Sequence, residues 1–166
     1  MAGEGGVGKT TLLRRYQSGT FVPASTTIGI NFVTIQIQFQ DHPIVACVWD
    51  YAGENRFKTL FPGYTSGSKA GLAVFDLSRV ESLQHLSDWV NIIREKNGQI
   101  PIILVGCKAD TASESQVAFI GEQAKDFANR YGLKGFFMVS SKTGAGVVEL
   151  FDFLSNQLIQ TLAFGQ

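Results

Sequence analysis

The stretch that decides the fold is GEGGVGKTT, Gly3 to Thr11. It fits the pattern G-x-x-x-x-G-K-[ST], in which a glycine-rich turn opens a helix and cradles phosphate groups. Glycines at 3, 5, 6 and 8 let successive backbone N–H groups turn inward, and the following helix adds a dipole that favours anions at its start. The candidate phosphate-binding residues are Glu4, Gly5, Gly6, Val7, Gly8, Lys9, Thr10 and Thr11. Lys9 is expected to reach the β- and γ-phosphates of a nucleotide, and the Thr10 hydroxyl to bind Mg2+. A turn that merely caps a helix would not need every fixed position filled. Such a loop normally follows a buried β-strand, yet only Met1 and Ala2 stand ahead of Gly3.

The composition suits a packed domain. Of the 166 residues 45% are hydrophobic and 17% charged, which is enough apolar surface for one core and one domain spanning residues 1–166. Fourteen basic residues balance fourteen acidic ones, so no electrostatic footprint marks a nucleic-acid partner or an anionic membrane. Cys47 and Cys107 lie in the apolar runs IVACVWD and IILVGCKAD. A thiol there is expected as a small core hydrophobe in a reducing compartment rather than as half of a disulfide. No apolar run approaches the roughly 20 residues that span a bilayer, and the start has no signal-peptide pattern. The final LAFGQ has no cysteine to carry a prenyl group, so no lipid anchor is expected on the chain as given. The expectation is a cytoplasmic protein that meets membranes only through partners.

Strand and helix signals alternate along the chain. In NFVTIQIQF, Asn31 to Phe39, Val33, Ile35, Ile37 and Phe39 share one face and Phe32, Thr34, Gln36 and Gln38 the other, which predicts a half-covered strand. DHP then turns the chain into IVACVWD, the second arm of a hairpin. AGLAVFDLS and IPIILVGC are continuous apolar runs, as in strands covered on both faces, and GFFMVSS makes a fifth strand. Helical patterns occupy Lys9 to Gln17, Ser82 to Lys96, Ser115 to Tyr131 and Val147 to Leu162. In the last, Val147, Leu150, Phe151, Leu154 and Leu158 form one apolar stripe. This alternation predicts an α/β fold with a doubly wound, mainly parallel sheet and helices on both faces.

Ligands bind such sheets at the carboxyl ends of the strands. Three further loops fall there. In VWDYAG, Asp50 ends an apolar strand and suits a carboxylate that holds Mg2+ through water, and Gly53 can offer its N–H to a terminal phosphate. In VGCKAD, Asp110 can accept from the N1–H and the amino group of guanine, neither of which adenine supplies at that edge. The alkyl stems of Lys108 and of Lys142, in VSSK, can flank the base, and the Ser141 backbone can donate to its O6. Each short motif alone more often marks an ordinary strand end; their order after a phosphate loop favours the base reader.

With these motifs in place the chain resembles the Ras superfamily of small GTPases over nearly its whole length, and its Rab branch in particular. The phosphate loop, TTIG, WDYAGENRF, GCKAD and SSK are similar, in order, to that family's five guanine-nucleotide motifs; TIGINF resembles the Rab switch I and WDYAGENRF its switch II. The resemblance implies a P-loop NTPase fold and a molecular switch that binds GTP or GDP with Mg2+ and hydrolyses GTP. It makes Thr27 the switch I residue that binds Mg2+ and the γ-phosphate, and Phe21 a residue that packs against guanine. Ser140, Ser141 and Lys142 become the last nucleotide motif. Lys9, Thr27, Gly53 and the residue after it, Glu54, become the catalytic positions. Phe32, Trp49 and Tyr64 become the aromatic triad offered to effector proteins, and an exchange factor and a GTPase-activating protein are implied as further partners.

Three departures qualify the carry-over. The residue after Gly53 is usually a glutamine that orients the attacking water; Glu54 lacks the amide donor and brings negative charge toward the phosphates. Slow hydrolysis and a side chain that merely points to solvent are equally expected. Cys107 stands where the family has an asparagine that contacts the base and ties its loop to the phosphate loop, so one or two hydrogen bonds of about 1 kcal/mol each are lost. Finally, five strands are counted where the family has six, the missing one belonging directly before Gly3. Residues ahead of Met1, a strand lent by another segment or protomer, and a destabilised, nucleotide-poor variant each account for that. Glu54, Cys107 and the short start favour an alternative function, a binding module with the GTPase fold and little hydrolysis.

Overall fold

The computed structural model describes residues 1–25, 27–39, 42–53 and 61–164. Its first two strands, β1 (Ile30–Phe39) and β2 (His42–Tyr51), pair antiparallel with Ile30 opposite Tyr51 and Phe39 opposite His42. The alternation of β1 holds: Ile35 and Ile37 are buried and Val33 packs on the core, while Phe32, Thr34 and Gln36 are exposed. The turn expected at DHP begins at Asp41, outside the described residues. Along β2, Ala46 and Val48 pack against the core and Val45 and Cys47 take the opposite face. Cys47 is therefore exposed, not the core thiol its apolar run suggested; Cys107 is buried, and both are free.

The other strands, β3 (Gly71–Asp76), β4 (Ile102–Cys107) and β5 (Phe136–Met138), pair parallel in the order β3, β4, β5. Every residue of β3 and β4 is buried, as their unbroken apolar runs require. The fifth strand stops before Val139 because the chain then closes a tight loop, the Ser140 N–H donating to the Ala145 carbonyl at 3.0 Å and the Gly144 N–H to that of Ser140 at 2.8 Å.

Met1 and Ala2 join these two sheets. The Ala2 N–H donates to the Leu72 carbonyl (2.9 Å) and the Ala2 carbonyl accepts from the Val74 N–H (2.8 Å), a parallel bridge to Ala73. On the other side the Met1 nitrogen donates to the Trp49 carbonyl (2.7 Å) and the Met1 carbonyl accepts from the Tyr51 N–H (3.4 Å). The place of the sixth strand is thus held, next to Gly3, by two residues with partners on both sides. Farther from Gly3 a cavity of about 380 Å³ lies between Ala46–Trp49 of β2 and Ala70–Leu72, floored by Ile93, Leu154 and Leu158.

Helices cover both faces. On one side α1 (Lys9–Ser18) and α6 (Val147–Phe164) bury Leu12, Leu13, Leu150, Phe151 and Leu154 against Val74, Ile103 and Val105. On the other, α3 (Val80–Gln84), α4 (Leu86–Asn97) and α5 (Glu114–Arg130) bury Leu83, Trp89, Val90, Ile120 and Ala124 against Ala73, Phe75 and Leu104. A short helix, α2 (Phe61–Thr65), has no apolar period of its own and escaped the sequence pattern. The single helix expected over Ser82 to Lys96 starts at Val80 and is interrupted at His85. The start of α5 is fixed by a capping box, in which Ser113 Oγ accepts from the Gln116 N–H and the Gln116 side chain accepts from the Ser113 N–H.

The joint tolerates no side chain at Gly3. A Cβ there would lie 2.0 Å from the Val74 carbonyl oxygen, at a φ of +145°. Gly19 also has positive φ, +69°, but faces open space. We expect Gly19→Ala to cost about 1–2 kcal/mol and Gly3→Ala distinctly more, read as the fall in melting temperature. Equal losses would contradict the close packing at Gly3.

Candidate functional site

A cavity of about 480 Å³ opens at the carboxyl ends of the strands. Its floor is the phosphate loop: Gly5, Gly6, Gly8, Lys9, Thr10 and Thr11 line it. Gly8 sits at φ +110° and α1 begins at the next residue, with the first helical bond running from the Leu12 N–H to the Gly8 carbonyl at 2.9 Å. The N–H groups of the first helical turn consequently have no partner within the helix and are available to an anion. Val7 is fully buried beneath the loop. Glu4 does not line the cavity; its Oε1 lies 2.7 Å from His85 Nδ1.

Lys9 is almost wholly buried, and its Nζ donates to the carbonyls of Gly3 (2.8 Å) and Glu4 (2.6 Å). Burial pushes its pKa down to about 8, against the pull of Asp50. A buried ammonium whose hydrogen bonds go to carbonyl oxygens is a group that gains from an anion. Beside it, the Thr10 hydroxyl donates to Asp50 Oδ2 and lies 2.7 Å from the Thr27 hydroxyl. Asp50 is fully buried, its other oxygen, Oδ1, has no hydrogen-bond partner among the described residues, and burial raises its pKa despite the Thr10 hydroxyl and Lys9. An orphaned buried carboxylate oxygen next to two hydroxyls fits a hard cation. Among the described residues no three His, Cys, Asp or Glu side chains cluster to cage a metal.

Gly53 presses on the phosphate loop. Its carbonyl accepts from the Gly5 N–H at 3.1 Å, and a Cβ on it would come within 2.1 Å of Glu4 and Gly5 backbone atoms. Glu54 lies outside the described residues.

The opposite end of the cavity is lined by Cys107, Lys108, Asp110, Ser141, Lys142 and Phe21. Asp110 Oδ1 accepts from the Ser140 hydroxyl at 2.6 Å, and Ser140 Oγ in turn accepts from the Thr143 N–H at 3.1 Å. Ser140 is buried and outside the lining; it steers Asp110. Cys107 packs against the phosphate loop, since a Cβ on Gly8 would sit 3.4 Å from the Cys107 Cβ. Burial, with Asp76 adding to it, pushes the thiol up to about 12, leaving only a weak neutral donor there. Sequence motifs missed Pro23, Ala24, Ser25, Tyr51 and Thr111, which also line the cavity. Their only signal is adjacency, to Phe21, Asp50 and Asp110.

Outside the cavity Phe32, Trp49 and Tyr64 form a continuous ladder. Phe32 and Trp49 are register partners with ring centroids 5.7 Å apart, and Trp49 and Tyr64 centroids are 5.8 Å apart. Phe32 is 65% and Tyr64 48% exposed. Among the described residues no helix is long and apolar enough to cross a membrane.

A family model described as the Ras family matches residues 1–160. The chain is similar to "Ras-related protein RAB1BV" of Beta vulgaris, 36% identical over 165 residues, which is 98% of this chain and 76% of that one. It is also similar to "Ras-related protein Rab-2B" of Dictyostelium discoideum, 33% identical over 164 residues, 98% of this chain and 80% of that one.

Ser140→Ala removes the donor to Asp110 and the acceptor of the Thr143 N–H together. We expect a loss of about 1–3 kcal/mol of folding stability and a faster release of fluorescent GDP, measured by displacement. Unchanged release would contradict the steering of Asp110 by Ser140.

Proposed function

Because the chain belongs to the Ras family, among the small GTPases of the Rab branch, we propose that its cavity holds GTP or GDP and that this chain works as a GTP-hydrolysing switch in membrane traffic, as a single domain. One observation carries the reading: a single cavity is lined both by the phosphate-loop group of Lys9, Thr10 and Thr27 and by the base-reading group of Asp110, Lys108 and Ser141.

Each residue then has a task. The loop from Glu4 to Gly8 and the first turn of α1 hold the phosphates through backbone N–H groups, and Lys9 moves from carbonyl partners to the β- and γ-phosphates. Asp110, held by Ser140, reads the N1–H and amino group of guanine, between the stems of Lys108 and Lys142, with Phe21 against the base and the Ser141 backbone at O6. Thr10, Thr27 and Asp50 would hold Mg2+, which when bound supplies positive charge where charge builds on the phosphate oxygens as the γ-phosphoryl group passes to water. Thr27 and Gly53 hold their loops against the γ-phosphate only while it is present, so hydrolysis to GDP and phosphate releases both.

The output is the aromatic ladder of Phe32, Trp49 and Tyr64, which lies on or beside the loops that move and offers effectors a surface whose shape follows the nucleotide. Exchange and activating proteins act on the same loops. A second reading, a module that holds nucleotide with little hydrolysis, draws support from the charge of Glu54 and the thiol of Cys107.

Single-turnover hydrolysis of GTP separates the two. A GTPase switch converts bound GTP to GDP on a timescale of minutes to hours without help, and Glu54→Gln is expected to hasten it if the carboxylate repels the attacking water's surroundings. Bound GTP that stays intact in both proteins would contradict the switch and favour the holder; equal rates in both would remove any catalytic role for the Glu54 side chain.

A further inference from the structure

Asp76 ends β3, behind the cavity, and no nucleotide motif includes it. It is 1% exposed and both of its oxygens are in use. Oδ1 accepts from the Ser78 N–H (2.9 Å) and hydroxyl (2.6 Å). Oδ2 meets Lys108 Nζ at 2.8 Å and Arg79 Nε at 3.3 Å. Burial works to raise this carboxyl's pKa, but the Lys108 and Ser78 hydrogen bonds outweigh it and hold the group below its ordinary range. It is therefore a fixed anion with a cation on each side.

Those two cations belong to different parts of the site. Lys108 comes from the base-reading loop, where it adopts φ +62°, a conformation uncommon for a residue with a side chain. Arg79 reaches the other way: its Nη2 donates to the Gly5 carbonyl of the phosphate loop at 3.2 Å. The path Lys108, Asp76, Arg79, Gly5 thus runs from base loop to phosphate loop through charge-assisted contacts alone. The shorter path, through residue 107, carries only van der Waals contact with Gly8 and a weak thiol.

We propose that Arg79 is a positioning residue for nucleotide binding, which with Asp76 couples the base-reading loop to the phosphate loop in place of a hydrogen bond from position 107. The proposal rests on the guanine-nucleotide reading above. Arg79 touches neither base nor phosphate; it holds the Gly5 carbonyl, so that the loop's N–H groups stay aimed into the cavity while Lys108 flanks the base. Without it each loop is free to move independently, and the nucleotide loses the benefit of meeting both at once.

The test is a double-mutant cycle on the dissociation rate of fluorescent GDP in the presence of Mg2+, using Arg79→Ala and Cys107→Asn singly and together. Arg79 is half exposed, so its replacement is expected to fold, and Arg79→Lys, which keeps a charge but not the fork, serves as a second variant. Arg79→Ala is expected to speed release about five- to tenfold, the worth of one such hydrogen bond, and Arg79→Lys by less. In the Cys107→Asn background, where an amide can bond directly to the phosphate loop, the same substitution is expected to change release less than about twofold. Equal effects in both backgrounds would overturn the coupling, because a merely structural arginine is not rescued by position 107. Unchanged release in Arg79→Ala, with the parent chain binding GDP, would overturn it alone; a parent chain that takes up no GDP would overturn the guanine reading and the coupling with it.

Discussion

The structure depends on the backbone bonds that Met1 and Ala2 make on both sides, directly ahead of the phosphate loop. A phosphate loop works only if it leaves the middle of a sheet rigidly, and here Met1 and Ala2 anchor it, bonded to Trp49 and Tyr51 on one side and to Leu72 and Val74 on the other. Four backbone hydrogen bonds at 2.7 to 3.4 Å place Gly3 over the Val74 carbonyl, so closely that no Cβ fits. From that point Val7 is driven into the core and Lys9 is carried to the start of α1. The same two residues hold the antiparallel pair β1–β2 beside the parallel set β3–β5, and so bring Asp50, at the end of β2, to Thr10.

What the joint positions is a set of buried charges with incomplete partners. Lys9 and Asp50 are both withdrawn from water, and each has its pKa moved toward the neutral form by that burial. In a protein that only needed to be stable such groups would be costly. They become useful when a polyanion and a cation arrive together, each satisfying the group the other leaves exposed. The far end of the cavity works by geometry instead: Asp110 is aimed by Ser140, and Lys108 is turned by a strained backbone and an ion pair with Asp76.

Much of this was legible in the sequence, for physical reasons. The strands covered on both faces had to be unbroken apolar runs, and AGLAVF and IILVGC were; β1 had to alternate, and NFVTIQI did. The Ras-family motifs named most of the cavity's lining because phosphate and guanine each demand particular groups at particular spacings. What stayed hidden has no period and no fixed spacing. The helical run from Ser82 hid a break at His85, Cys47 read as core because an apolar strand does not reveal which face is covered, and the Asp76–Arg79 path joins residues far apart in sequence. The strand place ahead of Gly3 was hidden differently: Met1 and Ala2 are too few to show a pattern, and their pairing with both neighbours emerges only from the backbone bonds.

The central claim is that these loops form a working guanine-nucleotide site despite Cys107. It is tested most directly by denaturing the purified protein and identifying the released nucleotide by chromatography. The account predicts close to one GDP or GTP per chain and no adenine nucleotide, since Asp110 meets no donor at the matching edge of adenine. A protein that releases none and takes up none from added GTP and Mg2+, or one that carries ATP or ADP, would contradict it.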